Sequence, residues 1–85
     1  MEKTAKYIIW DDGLTECAMI FNNHLIHQNM AFRMGIKPIS AGFVKFESNP
    51  QDPEIEVIAY GESISLGLKS RSDDSKIIKM ILKME

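Results

Sequence analysis

The sequence has little cysteine, no excess of basic residues and no long apolar run. Its single cysteine, Cys17, excludes an internal disulfide and a zinc site built on cysteines. The formal net charge of −2 at pH 7 provides no broad positive field for duplex nucleic acid. The apolar run at residues 7–10 is too short for a secretory signal or a membrane-spanning helix. We therefore expect a soluble, cytoplasmic protein with neither a membrane nor duplex nucleic acid as partner.

The sequence is also poor in catalytic motifs. It contains no nucleophile elbow, no P-loop and no glycine-rich dinucleotide fingerprint. Glu62 and Ser63 could act as a base and a nucleophile, but adjacent residues of a strand point to opposite faces. His24 and His27 are spaced for metal binding on a helix, yet no convincing third ligand lies near them in the sequence. These observations predict a non-enzymatic protein with no cofactor and no metal site.

What remains is the composition of an ordinary globular protein. The 85 residues are 45% hydrophobic and 26% charged, which predicts one compact domain over residues 1–85. In the first half, strand-forming residues on both sides of "DDG" (11–13) predict a β-hairpin. The segment "NNHLIHQNMAFRMG" then predicts a short helix, which Gly35 ends in the left-handed conformation.

The second half predicts three further strands and a longer helix. The segments "ISAGFVKFE" and "EIEVIAY" are typical of strands, and the prolines of "SNPQDP" predict an exposed loop between them. The segment "YGESISLGLK" alternates as a fifth strand would, and "SRSDDSKIIKMILKM" predicts a helix with Ser72 as its N-cap. The order β-β-α-β-β-β-α predicts an α+β fold: an antiparallel five-stranded sheet with one short and one longer helix.

Several predicted strands carry large apolar side chains on both faces. In the first strand, Ile8 and Trp10 alternate with Tyr7 and Ile9. Two helices can cover one face of a five-stranded sheet but cannot easily cover both, and exposed apolar patches generally mark interfaces. We therefore expect a homo-oligomer, either a two-fold dimer or a higher assembly.

Arg71 is the leading candidate for binding an anion. It immediately precedes the predicted N-cap, where a guanidinium and the free N–H groups of a helix start together suit phosphate. The fifth predicted strand carries small residues on one face, so a flat ligand or a second backbone could approach closely. Two simpler interpretations stay open. Asp73 or Asp74 could pair with Arg71, and the strand could pack beneath a loop.

Aromatic and cationic residues elsewhere could complete a site for a nucleotide-like ligand. Ring and guanidinium planes suit a base, and arginines suit phosphates. The simpler interpretation places Phe43 in the core and Arg33 in solvent. The candidate ligand-binding residues are Arg71, Ser70, Ser65, Ser63, His24, Asn23, Arg33, Phe43 and Tyr60.

Three segments, within a span of about two thirds of the chain, resemble a pattern found in small proteins of phages and prophages. They are "NNHLIHQNMA" (22–31), "ISAGFVKF" (39–46) and "YGESISLGLKSRSDDSKII" (60–78). The pattern is similar to that of the phage anti-Thoeris sponge proteins. Those proteins sequester cyclic ADP-ribose-type signals made by TIR-domain enzymes, and some also hold cyclic oligonucleotides. The resemblance implies a small α+β protein that assembles as a dimer or a larger ring and traps its ligand near subunit contacts without cleaving it. The site it implies here comprises Arg71, Ser70, Ser65, His24, Asn23 and Arg33.

Two functional hypotheses follow. The first is a non-enzymatic, phage-type immune-evasion protein that binds and sequesters a cyclic nucleotide second messenger. The alternative is a protein-binding inhibitor of a host defence system, such as an anti-CRISPR, or a small oligomeric interaction module. Its interface would be the acidic loop around Asp52 and Glu54 or an exposed face of the sheet.

Overall fold

The structure of the chain, a computed structural model, describes residues 2–83, without the side chains at positions 2, 49, 52–54 and 83. Over that range it contains a four-stranded antiparallel sheet, a two-stranded hairpin and two helices. The strands are β1 (Glu2–Asp11), β2 (Glu16–Phe21), β3 (Pro38–Asn49), β4 (Asp52–Tyr60), β5 (Glu62–Ser63) and β6 (Leu68–Lys69). The helices are α1 (His27–Met34) and α2 (Asp74–Lys83), and neither is long and apolar enough to cross a membrane. The predicted α+β class with an antiparallel sheet is confirmed.

The predicted fifth strand is not part of the main sheet, so the expected five-stranded sheet is wrong. Among the described residues, the sheet has the order β2-β1-β3-β4, and β5 pairs with β6. Residues 62–69 fold back on themselves because Gly67 takes a φ of 67°, in the left-handed region. The Ser63 hydroxyl accepts the Leu66 N–H at 3.3 Å and stabilises this turn. The segment therefore forms a small hairpin, which packs against β3.

The β-hairpin predicted at "DDG" is confirmed, and Asp12 holds its turn. One carboxylate oxygen of Asp12 accepts the N–H groups of Leu14 and Thr15, both at 2.9 Å. The hydrogen bonds from Thr15 and Leu14 lower the Asp12 pKa below its ordinary value. Gly13 takes a φ of 97°, which residues with side chains rarely adopt. Because the turn includes Leu14 and Thr15, β2 starts only at Glu16.

The two helices pack on opposite faces of the sheet. α2 covers the face formed by Tyr7, Ile9 and Val44, with Ile78 buried against them. On the other face, Ile8 and its neighbours are covered by α1 and by the β5–β6 hairpin. The sequence argument that two helices cannot easily cover both faces does not hold, because α2 covers one face and the β5–β6 hairpin helps α1 to cover the other. Self-association stays a prediction. Because both faces of the sheet are covered, an uncovered face no longer supports it.

α1 has no N-cap side chain of its own. Its N-cap residue is Ile26, which provides no side-chain hydrogen bond. That hydrogen bond comes from the β5–β6 hairpin, where the Ser65 hydroxyl oxygen accepts the Gln28 N–H at 3.3 Å. At the other end, Gly35 takes a φ of 65°, so the predicted left-handed termination is confirmed.

α2 begins later than predicted. Ser72 and Asp73 lie in a turn, in which the Asp74 N–H donates to the Arg71 carbonyl oxygen at 3.1 Å. The helix itself starts at Asp74, so Ser72 is not its N-cap. The carboxylate of Asp74 is fully buried and accepts the backbone N–H of Arg71 at 3.0 Å.

His27, the first residue of α1, is buried between two phenylalanines. Its ring meets Phe21 and Phe43 edge-on, at centroid distances of 5.5 Å and 5.8 Å. Its Nε2–H donates to the Gly42 carbonyl oxygen at 2.8 Å. Burial lowers the His27 pKa below its ordinary value of 6.5, and the nearby charge of Lys6 adds to this effect. The folded protein therefore favours the neutral imidazole.

We predict that the free energy of unfolding falls as the pH drops from about 7.5 to about 5. Below 6.5 the unfolded chain gains a proton at His27 before the folded chain does, so acid favours unfolding. The slope from this residue is at most about 1.4 kcal/mol per pH unit. Urea denaturation at several pH values measures it. The slope should flatten in His27→Gln and persist in the control His24→Gln, whereas identical slopes in all three proteins would contradict the assignment.

Candidate functional site

The guanidinium of Arg71 lies in a network of ion pairs. Its Nε–H donates to Asp74 Oδ1 at 2.9 Å, and an Nη2–H donates to Glu16 of β2. The backbone N–H of Arg71 donates to the other Asp74 oxygen at 3.0 Å. That oxygen also accepts the hydroxyl of Tyr7 in β1, at 2.5 Å. Asp74 is fully buried, and these donors compensate its negative charge.

This network agrees with the simpler interpretation of Arg71, in which a neighbouring aspartate pairs with it. Of the two neighbouring aspartates, Asp74 is the one that pairs with Arg71, and Glu16 adds a carboxylate from a distant part of the chain. The hydrogen bonds to Glu16 and to Asp74 raise the Arg71 pKa. Burial and the hydrogen bond to Asp74 raise the Tyr7 pKa. Two carboxylates in contact with a guanidinium repel a phosphate, so the geometry does not favour Arg71 as an anion-binding residue.

The serines that were predicted to bind a ligand make contacts within the protein. Ser63 is buried, and its hydroxyl lies 3.3 Å from that of Ser65. Ser65 in turn accepts the hydrogen bond at the start of α1. The backbone N–H of Ser70 donates to the Gly61 carbonyl oxygen at 2.9 Å, and its side chain hydrogen-bonds Tyr7. These small polar side chains therefore connect the β5–β6 hairpin to α1 and to the sheet.

Asn23, Phe43 and Tyr60 also have partners within the fold. The Asn23 amide donates to the Thr4 hydroxyl at 3.0 Å and to the Thr4 carbonyl oxygen at 3.2 Å, which ties the loop before α1 to β1. The Phe43 and Tyr60 rings stack with centroids 5.9 Å apart and an interplanar angle of 27°. Because Phe43 also contacts His27, the stacked pair extends the aromatic cluster at the start of α1.

His24 and Arg33 line a common depression on α1. It has a volume of about 430 Å³ and opens to solvent. We call its lining the α1 surface, which consists of His24, Leu25, Ile26, Asn29, Met30, Phe32 and Arg33. Phe32 is 88% exposed, and Leu25 and Ile26 are also exposed. Of the predicted ligand-binding residues, the structure brings His24 and Arg33 together here, and the others do not line the depression.

The sequence reasoning missed the apolar part of the α1 surface. Its members Leu25, Ile26 and Phe32 are large and exposed, whereas Ala31 and Met30 make the contacts with the core. A signal for them was present in the sequence. A short helix needs one apolar stripe to pack on a sheet, and this segment carries large apolar residues beyond that stripe.

The other sites considered from the sequence gain nothing from the structure. The side chains of Asp52 and Glu54 in the predicted acidic loop lie outside the described residues. In the described part of the chain, no three histidine, cysteine, aspartate or glutamate side chains form a group that could hold a metal ion.

Comparison with known proteins assigns no function. No family model, no curated protein and no solved structure matches this chain. The α1 surface is therefore the candidate functional site on the geometry alone, with an exposed aromatic ring, a guanidinium and an imidazole around one depression.

We predict that Asp74→Asn lowers the free energy of unfolding by about 3 kcal/mol. The amide keeps the size of the carboxylate, but it removes the buried negative charge and turns an NH₂ group toward Tyr7 or Arg71, both of which are donors. The matched control is Asp73→Asn at the exposed neighbouring position, which should change stability by less than about 0.5 kcal/mol. Urea and thermal unfolding measure both variants. If Asp74→Asn were as stable as the wild type, the contribution assigned to the Asp74 network would be refuted.

Proposed function

We propose that this protein is a non-enzymatic binding protein, that its partner is another protein and that its binding site is the α1 surface. The observation that carries the proposal is Phe32, whose side chain is 88% exposed on a helix. Burial of a phenylalanine side chain contributes about 1.5–3 kcal/mol. In the isolated chain Phe32 does not gain this stabilisation, and a partner that covers the ring provides it.

The residues around Phe32 have the composition of a protein interface. Leu25 and Ile26 add exposed apolar area, and Arg33 places a guanidinium beside the same depression. Aromatic residues and arginine are enriched at interface centres and among the residues that contribute most to binding. The complementary partner surface has an apolar pocket for Phe32 and an acidic group opposite Arg33.

The resemblance to small phage proteins supports a role in immune evasion. In this proposal the partner is a component of a host defence system, as for an anti-CRISPR protein, and the chain acts in the host cytoplasm. Inhibition of that kind needs no catalytic step, because occupying a functional surface of the partner is sufficient.

A cyclic nucleotide second messenger is the second candidate, and one observation favours it. His24 and Arg33, two residues that the sequence marked for ligand binding, line a depression of about 430 Å³. Small-molecule pockets have volumes of about 300–1,000 Å³. Arg33 would bind a phosphate, and Phe32 or His24 would stack on a base. Such a site would sequester a cyclic ADP-ribose-type molecule or a cyclic oligonucleotide without cleaving it, and it would not use Arg71.

We predict that Phe32→Asp weakens binding to the protein partner by at least about thirtyfold, because a desolvated aromatic ring at an interface centre typically contributes 2 kcal/mol or more. The matched control is Ile64→Asp, which introduces the same charge at a 91% exposed position on the β5–β6 hairpin. Immobilised wild-type and variant proteins are compared for capture of host proteins. The captured candidate is then purified and titrated by calorimetry against all three proteins. Equal affinity for wild type and Phe32→Asp would remove the α1 surface as the protein-binding site.

The second candidate has a separate test. Wild-type protein and Arg33→Ala are titrated with cyclic ADP-ribose isomers and with cyclic oligonucleotides. Binding to the wild type that weakens at least about tenfold in Arg33→Ala, the loss of one charge-assisted phosphate contact, would favour a nucleotide ligand over a protein. No binding of any of these molecules would remove this candidate and leave the protein partner.

A further inference from the structure

A second surface, distinct from the α1 surface, follows the outer edge of β2. Over residues 2–83, β2 pairs with β1 on one side and with no strand on the other. Beside this edge lies a groove of about 610 Å³ between β2 and α2. Residues 15–18 form one wall of the groove, and Ile77, Met80 and Ile81 of α2 form the other. The side chain of Met80 is 60% exposed there.

The edge of β2 lacks the features that usually protect an edge strand. Natural edges are blocked by proline, by lysine, by a bulge or by a covering segment. β2 has the sequence ECAMIF, which contains no proline and no lysine, and its one charged residue, Glu16, is engaged by Arg71. The opposite edge of the sheet differs, because the Ala59 N–H of β4 donates to the Ser75 hydroxyl of α2 at 2.8 Å. α2 therefore occupies part of the β4 edge and leaves the β2 edge open to a further strand.

We propose that β2 pairs with the β2 strand of a second copy of this chain, antiparallel and about a two-fold axis. Such pairing joins two four-stranded sheets into one continuous sheet. The axis is perpendicular to the sheet, so each face of one copy continues into the same face of the other. The main-chain N–H and C=O groups of the open edge then find partners in the second copy.

The apolar pattern of β2 is complementary to itself. Side chains on the two faces alternate, with Ala18 and Ile20 on the α2 side and Met19 and Phe21 on the α1 side. Residues that pair across the two-fold axis must lie on the same face of the sheet. This excludes every register that would pair a residue on the α2 side with a residue on the α1 side. A register centred on Met19 satisfies this condition over the whole strand. Its pairs are Met19 with its own copy, Cys17 with Phe21, Ala18 with Ile20, and Glu16 with Asn22.

Over residues 17–21 this register opposes apolar side chains to apolar ones, and it brings no two like charges together. Pairing of β2 with its own copy is therefore not opposed by repulsion between like charges. A partner with an acidic or basic strand would leave its charge facing apolar side chains, which disfavours it relative to a second copy.

The groove argues for the same occupant. Because the two-fold axis keeps faces together, the α2 helices of both copies lie on one face, on either side of the paired β2 strands. The groove walls formed by Ile77, Met80 and Ile81 then face each other across the axis. Each copy covers the apolar wall of the other, and the exposed Met80 side chain becomes buried. The same two-fold pairing therefore provides hydrogen-bond partners for the open edge of β2 and covers the groove.

The test is the oligomeric state in solution, measured by sedimentation equilibrium from micromolar to several hundred micromolar protein. The wild type is expected to be a dimer that dissociates on dilution. Met80→Lys places a charge in the paired grooves and should weaken the dimer at least about tenfold. The matched control, Ile64→Lys, makes the same change at another exposed apolar residue, on the β5–β6 hairpin, and should leave the dimer unchanged.

Position-specific cross-linking provides a second measurement that does not depend on Met80. In a Cys17→Ser background, Met19→Cys should form a cross-linked dimer with a short thiol-reactive reagent. Ile64→Cys, on the hairpin that packs against β3, should not. A wild type that is monomeric at all concentrations would overturn the proposal. So would a dimer that neither Met80→Lys weakens nor Met19→Cys cross-links, or an open-ended assembly in place of a dimer.

Discussion

The buried carboxylate of Asp74 is the constraint on which the arrangement of α2 depends. A negative charge with no access to water is strongly unfavourable unless donors surround it. Here Tyr7 provides one donor from β1, and Arg71 provides two from the segment before the helix. Arg71 in turn reaches Glu16 on β2. The network therefore fixes α2 over one face of the sheet at its first residue. It also favours a structural role for Arg71, because a guanidinium that pairs with two carboxylates of its own chain is poorly placed to hold an external anion.

The small residues between positions 62 and 70 are explained by a second constraint, the N-terminus of α1. Ile26 cannot accept a hydrogen bond with its side chain, so the first N–H groups of the helix need acceptors from elsewhere. Ser65 provides one acceptor from the β5–β6 hairpin, and the left-handed Gly67 makes the tight turn that places it there. Replacing Ser65 by alanine would remove this acceptor, and any residue other than glycine at position 67 would strain the left-handed turn. Small and apolar residues alternate in this segment as they would in a strand, but the small residues are there because the turn requires them.

The features that were predicted correctly are those decided within a few residues. The hairpin at Asp12, the left-handed end of α1 at Gly35 and the amphipathic α2 all follow from local hydrogen bonds, backbone conformation or periodicity. The features that were not predicted depend on distant partners. Periodicity shows that β1 is apolar on both faces, but it does not show which helix covers which face. Likewise the sequence places Asp74 beside Arg71, but nothing local indicates Glu16, which lies far away along the chain.

The candidate site was predicted only in part for the same reason. His24 and Arg33 were singled out by residue type, whereas the exposure of Phe32 depends on which side of α1 meets the sheet.

The two proposed surfaces have a geometric relation that bears on binding strength. α1 packs on one face of the sheet and α2 on the other. A two-fold axis perpendicular to the sheet at β2 would therefore place both α1 surfaces on one side of the dimer and both α2 helices on the other.

Each α1 surface is a short helix with one prominent aromatic ring, which provides modest affinity by itself. Two copies held at a fixed separation by a continuous sheet would bind a partner with repeated sites at an effective concentration set by that separation. A partner that is itself two-fold symmetric, with sites at the matching spacing, gains most from this arrangement, while a monomeric partner gains nothing from the second surface. Dimerisation through β2 would thus select among partners without adding any contact to the α1 surface.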